Sequence, residues 1–161
     1  MTLQTLPHRL AERSVYFGAS ETLQEAGLSL VALPKHFVLL LAANTTPLSG
    51  PELVDAARRS LEAGASYVCC WGPGCERLHD CFDEARFGFD DPDAGDDVIM
   101  TTWHEDESLE EAIWFAINTA FPTPKYEVTT RIVAVLTIAN ASWSLRAEEY
   151  LREGAPSGNE A

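Results

Sequence analysis

From residue 37 onward, short unbroken apolar runs alternate with stretches in which apolar residues recur every three or four positions. The runs read as strands buried on both faces of a parallel sheet, and the amphipathic stretches as the crossover helices between them. Phe37-Val-Leu-Leu-Leu-Ala-Ala43 predicts the first strand. Ser49, Gly50 and Pro51 then open a helix whose Leu53, Val54, Ala57 and Leu61 recur at helical spacing, and Gly64 ends it. Tyr67-Val-Cys-Cys-Trp71 predicts a second strand. After the turn Gly72-Pro73-Gly74, the residues Cys75, Leu78, Cys81, Phe82 and Ala85 form one apolar helical stripe. Val98 to Trp103 predicts a third strand. Ser108, with Glu111 three residues on, is a capping box for a helix through Ile113 and Ile117 that Pro122 stops. Arg131 to Ala139 predicts a fourth strand, and Trp143 to Glu153 a closing helix.

Residues 1–36 carry a weaker pattern. Leu6–Ser14 and Glu21–Ala26 read as short helices and Leu28–Leu33 as an added strand, together an amino-terminal extension packed on a single α/β domain of residues 37–153. The polar residues 154–161 read as a disordered tail. Four strand–helix units with right-handed crossovers predict a three-layer α/β sandwich. Its mainly parallel sheet would hold four or five strands, flavodoxin- or Rossmann-like, in the spatial order 2-1-3-4.

Composition adds what patterning cannot. The chain has 161 residues, 46% of them apolar. A domain of that size hides roughly two-thirds of its unfolded surface, so it can hold a core without disulfides or metal. Against 25 acidic residues stand 11 basic ones, a net charge of -14, and the only lysines are Lys35 and Lys125. Nucleic acid and anionic membrane are therefore not expected partners, because both draw affinity from clustered Lys and Arg. The four cysteines at 69, 70, 75 and 81 lie too close together for a framework that closes long loops. They read as the reduced thiols of a cytoplasmic protein. The longest apolar stretch, Phe37–Ala43, is far short of the about 20 residues a membrane span needs.

In such a sheet, ligands bind beyond the carboxyl ends of the strands, where the strand order reverses. The loops there bring forward Asn44, Thr45, Thr46, Trp71, Gly72, Trp103, His104 and Trp143 as candidate ligand contacts, and place three of the four tryptophans on one edge. Tryptophan is enriched at binding surfaces. His104 is a candidate general base with Glu105 as its orienting partner. Cys75, at a helix start where the dipole lowers a thiol pKa, is a candidate nucleophile. The bland reading of Cys70, Cys75 and Cys81 is small core residues. Cys70 and Arg77 miss the spacing of a cysteine-phosphatase loop, and Cys75 with His79 lacks the paired spacing of a zinc site. Neither metal nor cofactor is expected.

Charge is concentrated. Between Asp83 and Glu111 there are twelve acidic residues and one basic residue, Arg86, a local charge of -11. Asp90, Asp91, Asp93, Asp96, Asp97, Asp106 and Glu107 there form either a solvated face or a surface that steers a basic protein partner.

At Trp71-Gly-Pro-Gly-Cys75 and Met100-Thr-Thr-Trp-His-Glu-Asp-Glu107, continuing through Leu109-Glu-Glu-Ala-Ile-Trp-Phe-Ala116, the sequence resembles a small bacterial family known as a domain of unknown function. The resemblance covers roughly residues 37–140, with Gly74 standing where the family's turn would carry a polar or acidic residue. It implies membership alone, with no activity, cofactor or catalytic residue. No Walker sequence, serine elbow or phosphate-binding glycine motif is present. The expected function is a non-enzymatic acidic interaction module, an accessory or neutralising partner of a basic protein. The alternatives are a small hydrolase or nucleotide-binding enzyme working in the carboxyl-edge crevice, and a homodimer paired through an edge strand or the Trp114–Phe115 helix.

Overall fold

In a computed structural model, which describes residues 3–6, 13–90, 92–95 and 97–153, the three most apolar segments take the middle of the sheet. These are β3 (Phe37–Ala42), β4 (Ala65–Trp71) and β6 (Ile132–Ile138), buried along almost their whole length. β3 alternates in the manner of a strand covered twice. Phe37, Leu39 and Leu41 enter one core cluster while Val38, Leu40 and Ala42 enter the other.

The first cluster is closed by α1 (Leu23–Ser29), α2 (Gly50–Ala63) and α3 (Cys75–Ala85), the second by α4 (Leu109–Asn118) and α6 (Ala141–Glu153). A short α5 (Pro124–Glu127) leads into β6. Both α2 and α4 start with complete capping boxes, Ser49 with Glu52 and Ser108 with Glu111, and Gly64 ends α2 in the left-handed region. Among the described residues no helix is long and apolar enough to cross a membrane.

The sheet has six strands, more than the four or five expected, because β1 (Gln4–Leu6) and β2 (Ser14–Ser20) join it. Its order is β1-β2-β6-β3-β4-β5, with β5 being Met100–His104 and β1 alone antiparallel. The four expected strands therefore lie as 4-1-2-3, and the predicted 2-1-3-4 is corrected. The reason is polarity. β6 is buried throughout and takes neighbours on both sides, β3 and β2, whereas β5, with its two threonines and His104, is half-exposed and takes the edge. The chain order of the parallel strands, 1-5-2-3-4, is neither the flavodoxin nor the Rossmann order.

The amino-terminal reading changes as well. Ser14 to Ser20 is a parallel strand on β6, and Leu6 belongs to β1, where a helix over Leu6–Ser14 was expected. Residues 7–12, the middle of that expected helix, and the tail 154–161 lie outside the described residues. Leu28–Leu33 is no strand. It finishes α1 and passes into a 3-10 turn at Leu30–Ala32 that buries Leu30.

Candidate functional site

The loop after β3 leads to α2 on one face, while the loop after β6 leads to α6 on the other, so the two chains part at the carboxyl edge. A crevice at such a point is where open α/β sheets bind ligands. Here it is a cavity of about 780 Å³. Leu23, Leu48 and Ile138 supply apolar wall, while Asn44, Asn140 and Trp143 bring polar groups and an indole from β3 and β6. Ala139, at the end of β6, sits in the left-handed region at φ 51° and its N–H donates to the Ser20 carbonyl over 2.7 Å. Such backbone in a non-glycine residue is uncommon and clusters at binding sites.

Of the ligand candidates, Asn44 and Trp143 line this cavity. Thr45, Thr46, Trp71 and Gly72 instead build the loops around it. Buried Thr45 donates its hydroxyl to the Gly74 carbonyl at 2.7 Å and its N–H to the Pro73 carbonyl at 2.9 Å, tying the two loops together. Thr46 donates its N–H and its hydroxyl to Asn44 Oδ1. Trp71 sets its ring edge-on to Trp143, centroids 5.0 Å apart, and donates Nε1–H to the Glu107 carbonyl. Gly72 has φ 110° and no room for a Cβ against the Ala43 carbonyl oxygen. Gly74, also left-handed at φ 77°, lies against Thr45 in the same way.

The catalytic candidates separate. His104 is buried, with Nδ1 2.9 Å from Glu107 and Nε2 3.0 Å from the Thr102 hydroxyl, and its ring meets Phe115 edge-on, centroids 4.5 Å apart. Its carboxylate partner is thus Glu107 and not Glu105, which is exposed beside the start of α3. Cys75 does open α3, yet burial pushes its thiol up, and a hydrogen bond from the His104 backbone only opposes that. Cys69 is pushed up to about 12 by burial, and Cys70 goes well above the ordinary thiol value for the same reason. Arg77 donates to the Thr45 and Leu48 carbonyls. Among the described residues no three His, Cys, Asp or Glu side chains are placed to hold a metal ion.

The acidic segment is partly self-neutralised. Arg86 pairs with Asp83 and Asp90, Asp90 also accepts the Ile99 N–H, and Asp97 accepts the Lys125 N–H. Asp93 is exposed; Asp91 and Asp96 lie outside the described residues. Asp106 and Glu107 are exposed at the end of β5, next to Trp103, which is 44% exposed and packs on His79 at 4.5 Å. On α3, Glu76, Asp80 and Glu84 recur at i, i+4 and i+8 and are exposed, and Phe87 beyond them is 72% exposed.

Glu21 and Thr22, which also line the cavity, escape a reading that misses β2. The spacing of Thr22 to Glu25, a cap followed three residues on by glutamate, is the signal that marks this helix start. A family model described as Domain of unknown function (DUF7684) matches residues 19–154. The chain belongs to that family. The match starts within β2 and is wider at both ends than the 37–140 expected. No curated protein matches the chain.

Proposed function

We propose, for a member of a family that brings no activity with it, a non-enzymatic interaction module that docks a basic protein partner along the β5 edge. The observation that carries this reading is Trp103, 44% exposed on an edge strand and packed on His79 of α3, the helix that exposes Asp80 and Glu84, with Glu105 and Asp106 exposed just after it in the chain. An aromatic anchor inside a charged rim is the anatomy of a protein interface, and carboxylates of one sign speed the encounter with a cationic partner. No further strand of the described chain pairs with β5 on its outer side, so an extended basic segment has backbone groups to add to. A second copy fits less well, because joining two β5 edges sets two segments of charge -11 against each other. A cytoplasmic setting suits the four free thiols.

The crevice supports the enzyme alternative, but two observations weigh against it. His104, with Glu107 and the Thr102 hydroxyl on its ring nitrogens, is buried and does not line the crevice. At the helix starts around the cavity the N–H groups of Glu25, Glu52 and Trp143 are each taken by a capping side chain, and Pro51 has none to give, which reduces the donors open to a phosphate.

Affinity capture at low and high salt tests the module, comparing the native chain with Trp103→Ala and with Asp80→Lys/Glu84→Lys. A basic protein retained at low salt, released at high salt and lost with both variants is the expected result. Capture that both variants leave unchanged, or capture of acidic proteins alone, overturns it.

A further inference from the structure

The about 780 Å³ cavity at the β2–β6–β3 edge lies apart from the β5 surface and has its own chemistry. Its size is that of a site for a small organic molecule, typically about 300–1,000 Å³. Three acidic residues, Glu21, Glu52 and Asp55, line it against one basic residue, Arg59. Arg59 is held by Asp55, Nε to Oδ2 at 2.7 Å, which leaves Glu21 and Glu52 without a cation among the described residues. Glu52 accepts the Ser49 N–H and hydroxyl, and these bonds hold its carboxyl below the usual carboxylate range, so it stays ionised.

Polar neutral side chains add to the pattern: Thr22, Gln24 and the carboxamides of Asn44 and Asn140 also line the cavity. Asn44 Oδ1 accepts from Thr46, and Asn140 Oδ1 accepts the Trp143 N–H at 3.0 Å. Each oxygen is thereby fixed, and each NH2 group remains a donor with no partner among the described residues. At the start of α2 the Glu52 carboxylate itself closes the Ser49 cap, and at α6 the Asn140 oxygen takes the Trp143 N–H, so each helix start has one donor fewer for an anion. The rest of the wall is apolar and includes Leu23, Leu48, Ile138 and Trp143.

We propose that this cavity binds a small organic amine with an apolar body. Its ammonium is drawn by Glu21 and Glu52, its body covers Ile138 and Trp143, and any hydroxyl or carbonyl on that body accepts from the Asn44 and Asn140 amides. A carboxylate or phosphate in the same place meets two carboxylates that have no cation partner among the described residues, so the site selects against anions of the same size.

Ligand-observed NMR on the full chain tests this with three aromatic probes of matched size: tyramine, 4-hydroxyphenylacetate and phenyl phosphate. Tyramine is expected to bind, and the two anions are not. Glu21→Gln/Glu52→Gln, which keeps an acceptor oxygen for the α2 cap, should weaken tyramine by about threefold or more. The same pair of changes at Asp80 and Glu84, on the β5 surface, should leave tyramine binding unmoved. Equal or tighter binding of either anion, tyramine binding that ignores Glu21→Gln/Glu52→Gln, or no binding by any probe overturns the proposal. Because neither Glu21 nor Glu52 belongs to the β5 surface, either proposal can fail while the other stands.

Discussion

His104 shows how a side chain that looks catalytic in a sequence becomes structural in a fold. A histidine followed by three acidic residues suggests a base and its orienting carboxylate, and spacing cannot say which acid will answer. The turn after β5 brings Glu107 to Nδ1, while the next residue but one back along the strand, Thr102, shares its face and reaches Nε2. His104→Ala strips partners from both groups and removes the ring packed on Phe115. Unfolding by denaturant should show a loss of about 2–3 kcal/mol. Capture of the basic partner should persist wherever the variant remains folded. A variant as stable as the native chain would contradict the structural role. The thiols make the same point, since at the start of α3 the cost of burying a charged Cys75 outweighs what the helix-start N–H groups return. Burial pushes all four thiols up, but Cys69, Cys70 and Cys75 are also closed to solvent, so native protein should expose a single accessible thiol, the half-buried Cys81, to an aromatic disulfide reagent. All four should react in denaturant. Fast labelling of Cys75 in a Cys81→Ser variant would restore the nucleophile.

At the scale of elements, what the sequence displays is whatever a few neighbouring residues decide. The Ser49–Glu52 and Ser108–Glu111 boxes are readable because both halves of each hydrogen-bond pair lie within one turn. The Trp71–Cys75 turn is readable as a turn, but its purpose comes from the β3 loop, distant in sequence, that Thr45 ties to it. Gly72→Ala forces a Cβ into the Ala43 carbonyl and a side chain into left-handed backbone. It should cost about 2 kcal/mol or more in thermal or chemical unfolding, and a loss within experimental error would refute the close packing. The pairing of α4 with α6 is likewise non-local. Arg146 grips Glu110 with two hydrogen bonds, of 2.9 and 2.7 Å, and holds its carboxyl below the usual range. A carboxyl lowered by folding adds stability above its ordinary value, about 4.3, and loses it as pH falls through the lowered one. Glu110→Gln should therefore cost under about 1 kcal/mol at neutral pH, since the pair is part-exposed. That deficit should close in acid, and one that persists there would point to packing instead of charge.

For the whole molecule, strand order is what the sequence leaves open, and strand order builds the cavity. Four of the five parallel strands announce themselves as apolar runs or as an apolar–polar mixture before a capping box. β2 does not. Ser14-Val-Tyr-Phe-Gly-Ala-Ser20 mixes small, polar and aromatic residues, and its place follows from β6, which is buried throughout and takes a second neighbour that the residues after 37 do not supply. Once β2 is beside β6, its carboxyl end delivers Glu21 and Thr22 to the crevice, while Asn44 and Asn140 arrive from strands about a hundred residues apart in sequence. Two truncations separate these dependencies. A chain lacking residues 1–12 loses the three-residue β1, keeps β2, and should unfold cooperatively with tyramine binding retained. A chain lacking residues 1–20 bares the β6 edge over Ile132–Ile138, an apolar strand with open backbone groups, and should aggregate or fail to fold. Cooperative unfolding of that shorter chain at the native midpoint would mean that β6 can serve as an edge, and that the order of this sheet is set by something other than the burial of its strands.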